Sequence, residues 1–184
     1  MKLLIAYATT DGQTRKVARR AMDRLYEAGH SVELLNLADP AGVELGRFDA
    51  AILAGSMHIG GYQRELTDFV TDHSAELNRM PTLFLPVSLS AAGHNVSDWE
   101  GLGDRLNQFI ESTGWKPGRI EHVAGAFRFS AYDAFRGWAM RRIAAERDPT
   151  LKRGEDREYT DWPALEALVT DWAAGLKAKQ GATG

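Results

Sequence analysis

Cysteine is absent from this 184-residue chain, which excludes disulfides, thiol nucleophiles and thiolate metal sites. Also missing is any apolar run near the roughly 18 to 20 residues that cross a bilayer as a helix. Only Met1-Lys2 precedes the first apolar segment, so no signal peptide is expected. The chain should be cytoplasmic, at most peripheral on the cytoplasmic face of the inner membrane. No sign of charge dominates: 22 Lys and Arg stand against 25 Asp and Glu, a net charge of −3, and no nucleic-acid partner is expected. No Gly-x-Gly-x-x-Gly follows the first strand, and Gly-Lys-Ser/Thr and Gly-x-Ser-x-Gly are lacking altogether, which removes dinucleotide, P-loop and hydrolase readings. His30, His58, His73, His94 and His122 include no pair at metal-ligand spacing, so no metal is expected.

What the chain does contain is a regular alternation of patterns. Leu3 to Ala6 reads as a buried strand that runs into Tyr7-Ala8-Thr9-Thr10-Asp11-Gly12-Gln13-Thr14. Val17, Ala21, Leu25 and Ala28 recur at helical spacing before Gly29, which predicts a helix over about Gln13 to Ala28. Ser31 to Leu37, Ala50 to Ala54, Pro81 to Ser88 and Arg119 to Ala126 read as four further strands, Ala50 to Ala54 being an unbroken apolar run of the kind a doubly covered parallel strand shows. Leu66, Phe69, Val70, His73 and Leu77 mark one helical face, and Leu102, Leu106, Phe109 and Ile110 another that Gly114 closes. Leu165, Leu168, Val169, Trp172 and Leu176 make a closing helix, with Thr160 and Asp161 as caps and Pro163 in its first turn. Pro86 is out of place inside a strand, because it gives the ladder no donor. One domain over residues 1–177 is expected, with a frayed tail at 178–184.

A turn rich in threonine and glycine between a strand and a helix gathers hydroxyls and amides at the positive end of the helix dipole, where an anion is favoured. Thr9-x-Asp11-Gly12-x-Thr14 resembles the flavodoxin phosphate loop, which wraps the single phosphate of FMN; Asp11 stands where that family usually has a hydroxyl. Two anions at one helix terminus repel, so Asp11 is expected to cap backbone amides while Thr10 and Thr14 offer hydroxyls and Gly12 and Gln13 offer amides. Read without a ligand, Thr10 and Gln13 form a capping box. The alternation of elements predicts an α/β, flavodoxin-like, doubly wound five-stranded parallel sheet in the order 2-1-3-4-5. Three loops meet at the carboxyl ends of its strands: Thr9 to Thr14 for phosphate, then Ser56, Met57, His58, Ile59 and Gly60, and Val87, Ser88, Leu89 and Ser90, on either side of a flat ring. Met57, His58 and Tyr62 are the candidate stacking or edge groups. One phosphate site without a pyrophosphate fingerprint points to FMN and not FAD.

The stretch at about 128–158, before the last helix, is not needed by such a fold. From Arg128 to Arg153 it carries seven basic and three acidic residues, and Phe135, Trp138, Ala139 and Ile143 form a helical stripe flanked by Arg136, Arg141 and Arg142. Together with the loop at 9–14, Gly55-Ser56 followed by Gly60 and Tyr62, Leu77-Asn78 before Met80-Pro81, Ala124-Gly125-Ala126-Phe127-Arg128-Phe129, Tyr132-Asp133 and Tyr159-Thr160-Asp161-Trp162, it makes the chain resemble the flavodoxin-like, menaquinone-dependent protoporphyrinogen oxidases over nearly its whole length. That resemblance implies an FMN enzyme that oxidises protoporphyrinogen IX and reduces a respiratory quinone. Arg128, Tyr132, Arg136, Arg141 and Arg142 are then candidates for contact with substrate or an anionic membrane. A flavodoxin-type electron carrier and an NAD(P)H:quinone reductase stay open, since the phosphate loop suits them equally.

Overall fold

Leu3, Leu4, Ile5 and Ala6 have no exposed surface, and a strand apolar on both sides needs cover on both. They form the middle of β1 (Lys2–Ala8). β2 (Ser31–Asn36) and β3 (Ala50–His58) pair with it in parallel on opposite sides. β4 (Gly61–Tyr62) turns back antiparallel on β3, and β5 (Thr82–Ser88) pairs with β3 in parallel. Two short strands, β6 (Arg119–Ile120) and β7 (Val123–Ala124), share the far side of β5. Counted as parallel positions the order is 2-1-3-4-5, the flavodoxin-like class expected from the alternation. The structure, a computed structural model, describes residues 1–40, 42–58, 61–93, 95–127, 150 and 155–181.

Each sheet face has its own core. α1 (Gln13–Glu27) and α5 (Trp162–Gly181) bring Val17, Ala21, Leu25, Val169 and Trp172 onto Leu3, Ile5 and Tyr7. α2 (Arg64–Asp72), α3 (Ser74–Leu77) and α4 (Val96–Thr113) bring Leu66, Val70, Leu77 and Phe109 onto Leu4, Ala6 and Phe84, with Trp115 wholly buried among them. The face predicted as one helix through Leu77 is broken at His73, whose ring lies 4.7 Å from that of Phe69. At the carboxyl end of the chain α5 continues past Lys177 to Gly181.

The fifth strand departs from expectation, and Pro86 supplies the reason. Arg119 to Ala126 reads as continuous, yet β6 pairs with Leu83 and Phe84, and β7 with Val87 and Ser88, leaving a break at Glu121-His122. The carbonyls of Phe84 and Ser88 accept from Glu121 N (3.0 Å) and Gly125 N (2.8 Å), so alternate residues of β5 face that edge and Pro86 is the one between them. With no N–H to offer there, the ladder is interrupted opposite it. Past the break, β8 (Ala126–Phe127) pairs antiparallel with β9 (Arg157–Glu158), so the chain on either side of residues 128–154 is held as a two-stranded ribbon.

Candidate functional site

The register brings the three predicted loops to one edge. Ala8 lies beside Gly55, and Ser56 beside Val87, so the segments after β1, near the end of β3 and after β5 emerge at the same level of the sheet. This is the switch point at which strand order reverses.

In the first segment, Gly12 is the residue that ends the turn and begins α1, with φ 85° and no side-chain cap. The predicted capping box of Thr10 and Gln13 does not form. Instead Gly12 N donates to Thr9 Oγ1 (3.0 Å), Thr10 is exposed, and Gln13 turns its amide to Thr160 Oγ1 (2.9 Å). The first helical backbone bond runs from Lys16 N to Gly12 O (3.2 Å), so the amides ahead of it are left over by the helix's own ladder. Thr14 is fully buried and its hydroxyl has no partner among the described residues. A buried hydroxyl without a partner at a helix start is costly unless a ligand completes it. Asp11 is half-buried in the same turn.

The second segment is strand and not loop. Ser56, Met57 and His58 belong to β3, and Met57 and His58 pair antiparallel with Tyr62 and Gly61; Ile59 and Gly60 lie outside the described residues. Tyr62 is not available to stack on a ligand. Its ring packs against Phe84 (5.4 Å) and Phe109 (4.7 Å) in the core, and burial pushes its phenol above the ordinary value. Gln63, which the sequence reading passed over, donates from Nε2 to Thr10 Oγ1 (3.3 Å) and to Ser56 Oγ. That amide joins the first segment to the second. No motif marks it, since its partners are 53 and 7 residues away.

In the third segment Val87 faces the core under α1 and α5, while Ser88 is buried with its Oγ accepting from Ala91 N (3.2 Å). Leu89 and Ser90 are half-buried and lead into a short 3-10 turn at Ser90–Ala92, which Trp99 steadies by donating Nε1 to Gly93 O (3.0 Å). Beside it, His122 sits edge-on to Trp99 with a buried, unpartnered Nδ1. Burial lowers its imidazole below the ordinary value, outweighing the opposing charge of Glu121. Below its ordinary pKa of about 6.5 the unfolded chain takes up a proton that the folded chain takes up only at lower pH, so stability is lost as pH falls. We expect His122→Phe to lose less Tm than the parent between about pH 7 and about pH 5; equal losses would remove His122 from the pH response. Arg128, Tyr132, Arg136, Arg141 and Arg142 lie outside the described residues.

With this geometry in hand, comparison with known proteins is decisive at the level of family: a model described as a flavodoxin domain matches residues 4–151. The chain belongs to the flavodoxin family. A protein of Escherichia coli K12 named "Protoporphyrinogen IX dehydrogenase [quinone]" is 27% identical over 173 residues, covering 94% of this chain and 95% of its own. One of the same name from Leishmania major is 26% identical over 181 residues, covering 94% and 75%. Among solved structures, the rubredoxin:oxygen oxidoreductase of Desulfovibrio gigas superposes with a TM-score of 0.58 at 15% identity, over 97% of this chain and 37% of that one. A Fusobacterium nucleatum flavodoxin mutant bound to flavin mononucleotide does so at 0.52 and 13%, over 97% and 96%. Those two likenesses concern the fold.

FMN is the cofactor that goes with this family, and the residues present fit it. The chain's Thr14 hydroxyl and the amides heading α1 suit a single phosphate. Thr14→Val gives the sharpest check, because it removes a hydroxyl that the described residues leave unpaired. We expect the apoprotein to be as stable as the parent or more so, and FMN affinity to fall about 10-fold or more, the weight of one hydrogen bond to a charged group. A destabilised apoprotein with unchanged affinity would show that the hydroxyl serves the fold instead.

Proposed function

We propose that this flavodoxin-family protein is an FMN-dependent protoporphyrinogen IX dehydrogenase that passes electrons to a respiratory quinone late in haem synthesis. The observation that carries the reading is the end-to-end match with the Escherichia coli relative of that name. The match runs over 94% of this chain and 95% of that one, so the relative is long enough to carry a stretch like 128–154, which supports the reading. An electron-carrier flavodoxin has no need of such a stretch.

When bound, FMN would supply a two-electron acceptor for the porphyrinogen and, once reduced, a two-electron donor for the quinone. The chain's own part is to bind and orient. The loop at 9–14 anchors the phosphate, Gln63 holds Thr10 and Ser56 together, and the hairpin after β3 and the turn after Ser88 flank the space between them. Arg128, Arg136, Arg141 and Arg142 supply positive charge for the propionates of the substrate or for an anionic membrane face, and Tyr132 lies among them in sequence. A peripheral place on the cytoplasmic side of the membrane that holds the quinone goes with this reading.

The test is porphyrin formation under anaerobic conditions, followed by fluorescence, with FMN-loaded protein, protoporphyrinogen IX and menaquinone in anionic vesicles. The reading expects porphyrin only when protein and quinone are both present. No porphyrin from a fully FMN-loaded protein, alongside rapid electron exchange with a partner redox protein, would return it to the carriers.

A further inference from the structure

Gln13 is the first residue of α1, inside the phosphate loop, and is 5% exposed. Its Nε2 donates to Thr160 Oγ1 at 2.9 Å, and that hydroxyl donates in turn to Ala124 O at 2.6 Å. Thr160 follows β9 and Ala124 ends β7, so one buried oxygen joins the phosphate loop to the two chain segments that bracket residues 128–154. The same segments reach the third loop: Tyr159 N donates to Gly125 O (3.0 Å), and Gly125 N to Ser88 O (2.8 Å). Gly125 admits no side chain without movement, since a Cβ there would come within 3.3 Å of the Ser88 carbonyl carbon. Next to Thr160, Glu158 accepts from Lys16 Nζ (2.8 Å) and Trp162 Nε1 (3.0 Å), and also from Gln13. Helix α1, the β8–β9 ribbon and the head of α5 are thus bonded at one point.

We infer that Thr160 is a positioning residue for the phosphate loop, acting through Gln13, and that it couples cofactor binding to the ribbon at the root of residues 128–154. The inference rests on the FMN reading. A hydroxyl is required there because it accepts from an amide and donates to a carbonyl at once. Valine fills the same space and does neither, leaving Gln13 held by Glu158 without its bond to Thr160 and the Ala124 carbonyl without that hydroxyl in a buried place. With one of its two bonds gone the Gln13 amide fixes the first turn of α1 less tightly, and any coupling of this kind runs equally in both directions.

FMN titrations of the parent, Thr160→Val and Thr160→Ser, combined with hydrogen exchange at the Gly125 and Tyr159 amides with and without FMN, test the inference. We expect Thr160→Val to bind FMN about 10-fold more weakly and Thr160→Ser to restore most of the affinity. FMN should slow exchange at both amides in the parent and in the serine variant, but not in the valine variant. A parent that takes up no FMN overturns the cofactor reading and the inference with it. A parent that binds FMN while the valine variant binds equally well, or while exchange at Gly125 and Tyr159 ignores FMN, overturns the inference alone, as does equal weakening in valine and serine variants. Should Thr160→Val fail to fold, the parent's exchange decides the matter: slowing at both amides supports the coupling, and its absence refutes it.

Discussion

Gly12→Val is expected to lower FMN affinity about 100-fold or more while leaving the apoprotein folded. Gly12 sits at φ 85°, a region that costs a residue with a side chain roughly 1–2 kcal/mol and a β-branched one more. The space around it is open, since a Cβ would meet nothing within 4 Å, so the fold itself has no clash to escape. Strain of this kind is relieved by turning φ negative, which swings the amides of the loop out of convergence. Losing two hydrogen bonds to a charged phosphate, at about 1.5–3 kcal/mol each, gives the stated drop at about 1.4 kcal/mol per tenfold. The apoprotein should lose only a few degrees, on the order of 2–4 °C per kcal/mol for a chain of this size. Flavin-fluorescence titration and a melting curve measure both quantities, and unchanged affinity would take the loop out of the cofactor site.

The other large effect belongs to residues 128–154. Reversing Arg136, Arg141 and Arg142 to Glu changes the local charge by six units in a segment whose seven basic residues, these three included, stand against three acidic ones. Both candidate ligands of that segment, porphyrinogen propionates and an anionic membrane face, are then repelled, at about 1 kcal/mol per charge near a lipid surface. Quinone-linked porphyrinogen oxidation should fall by more than tenfold and vesicle binding should weaken, most clearly at low salt, where screening is least. FMN binding and Tm should barely change, because the phosphate loop takes no residue from this segment. Retention of activity and vesicle binding in the triple variant would reduce the segment to surface decoration and weaken the case for an enzyme over a carrier.

How far the sequence carried depended on whether the signal was local. α1 was legible from Val17, Ala21 and Leu25 and from Gly29, which does adopt the left-handed conformation, at φ 82°. The loop at 9–14 was legible because a strand, a glycine turn and a helix follow one another directly. What was missed depends on contacts between distant residues. Pro86 was seen as an irregularity in its own strand, whereas its effect falls on the neighbouring one, at Glu121-His122. Ser56 to His58 read as loop because Gly55 ends the apolar run, yet β4 supplies pairing that the run does not need. Tyr62 is one of three candidate edge groups in the sequence because glycines precede it, while in the fold its ring packs with Phe84 and Phe109. The Gln13 to Thr160 bond spans 147 residues and has no periodicity to announce it.

The most direct measurement is a single anaerobic turnover: FMN-loaded protein mixed with protoporphyrinogen IX, with no quinone present, while flavin absorbance and porphyrin fluorescence are followed together. If the segments after β1, β3 and β5 hold a flavin that oxidises porphyrinogen, the flavin bleaches as it takes up its one electron pair, and porphyrin fluorescence grows only once quinone is added and restores the flavin's colour through successive turnovers. A flavin that stays oxidised in the presence of porphyrinogen, in a protein shown to be fully loaded, would contradict the account.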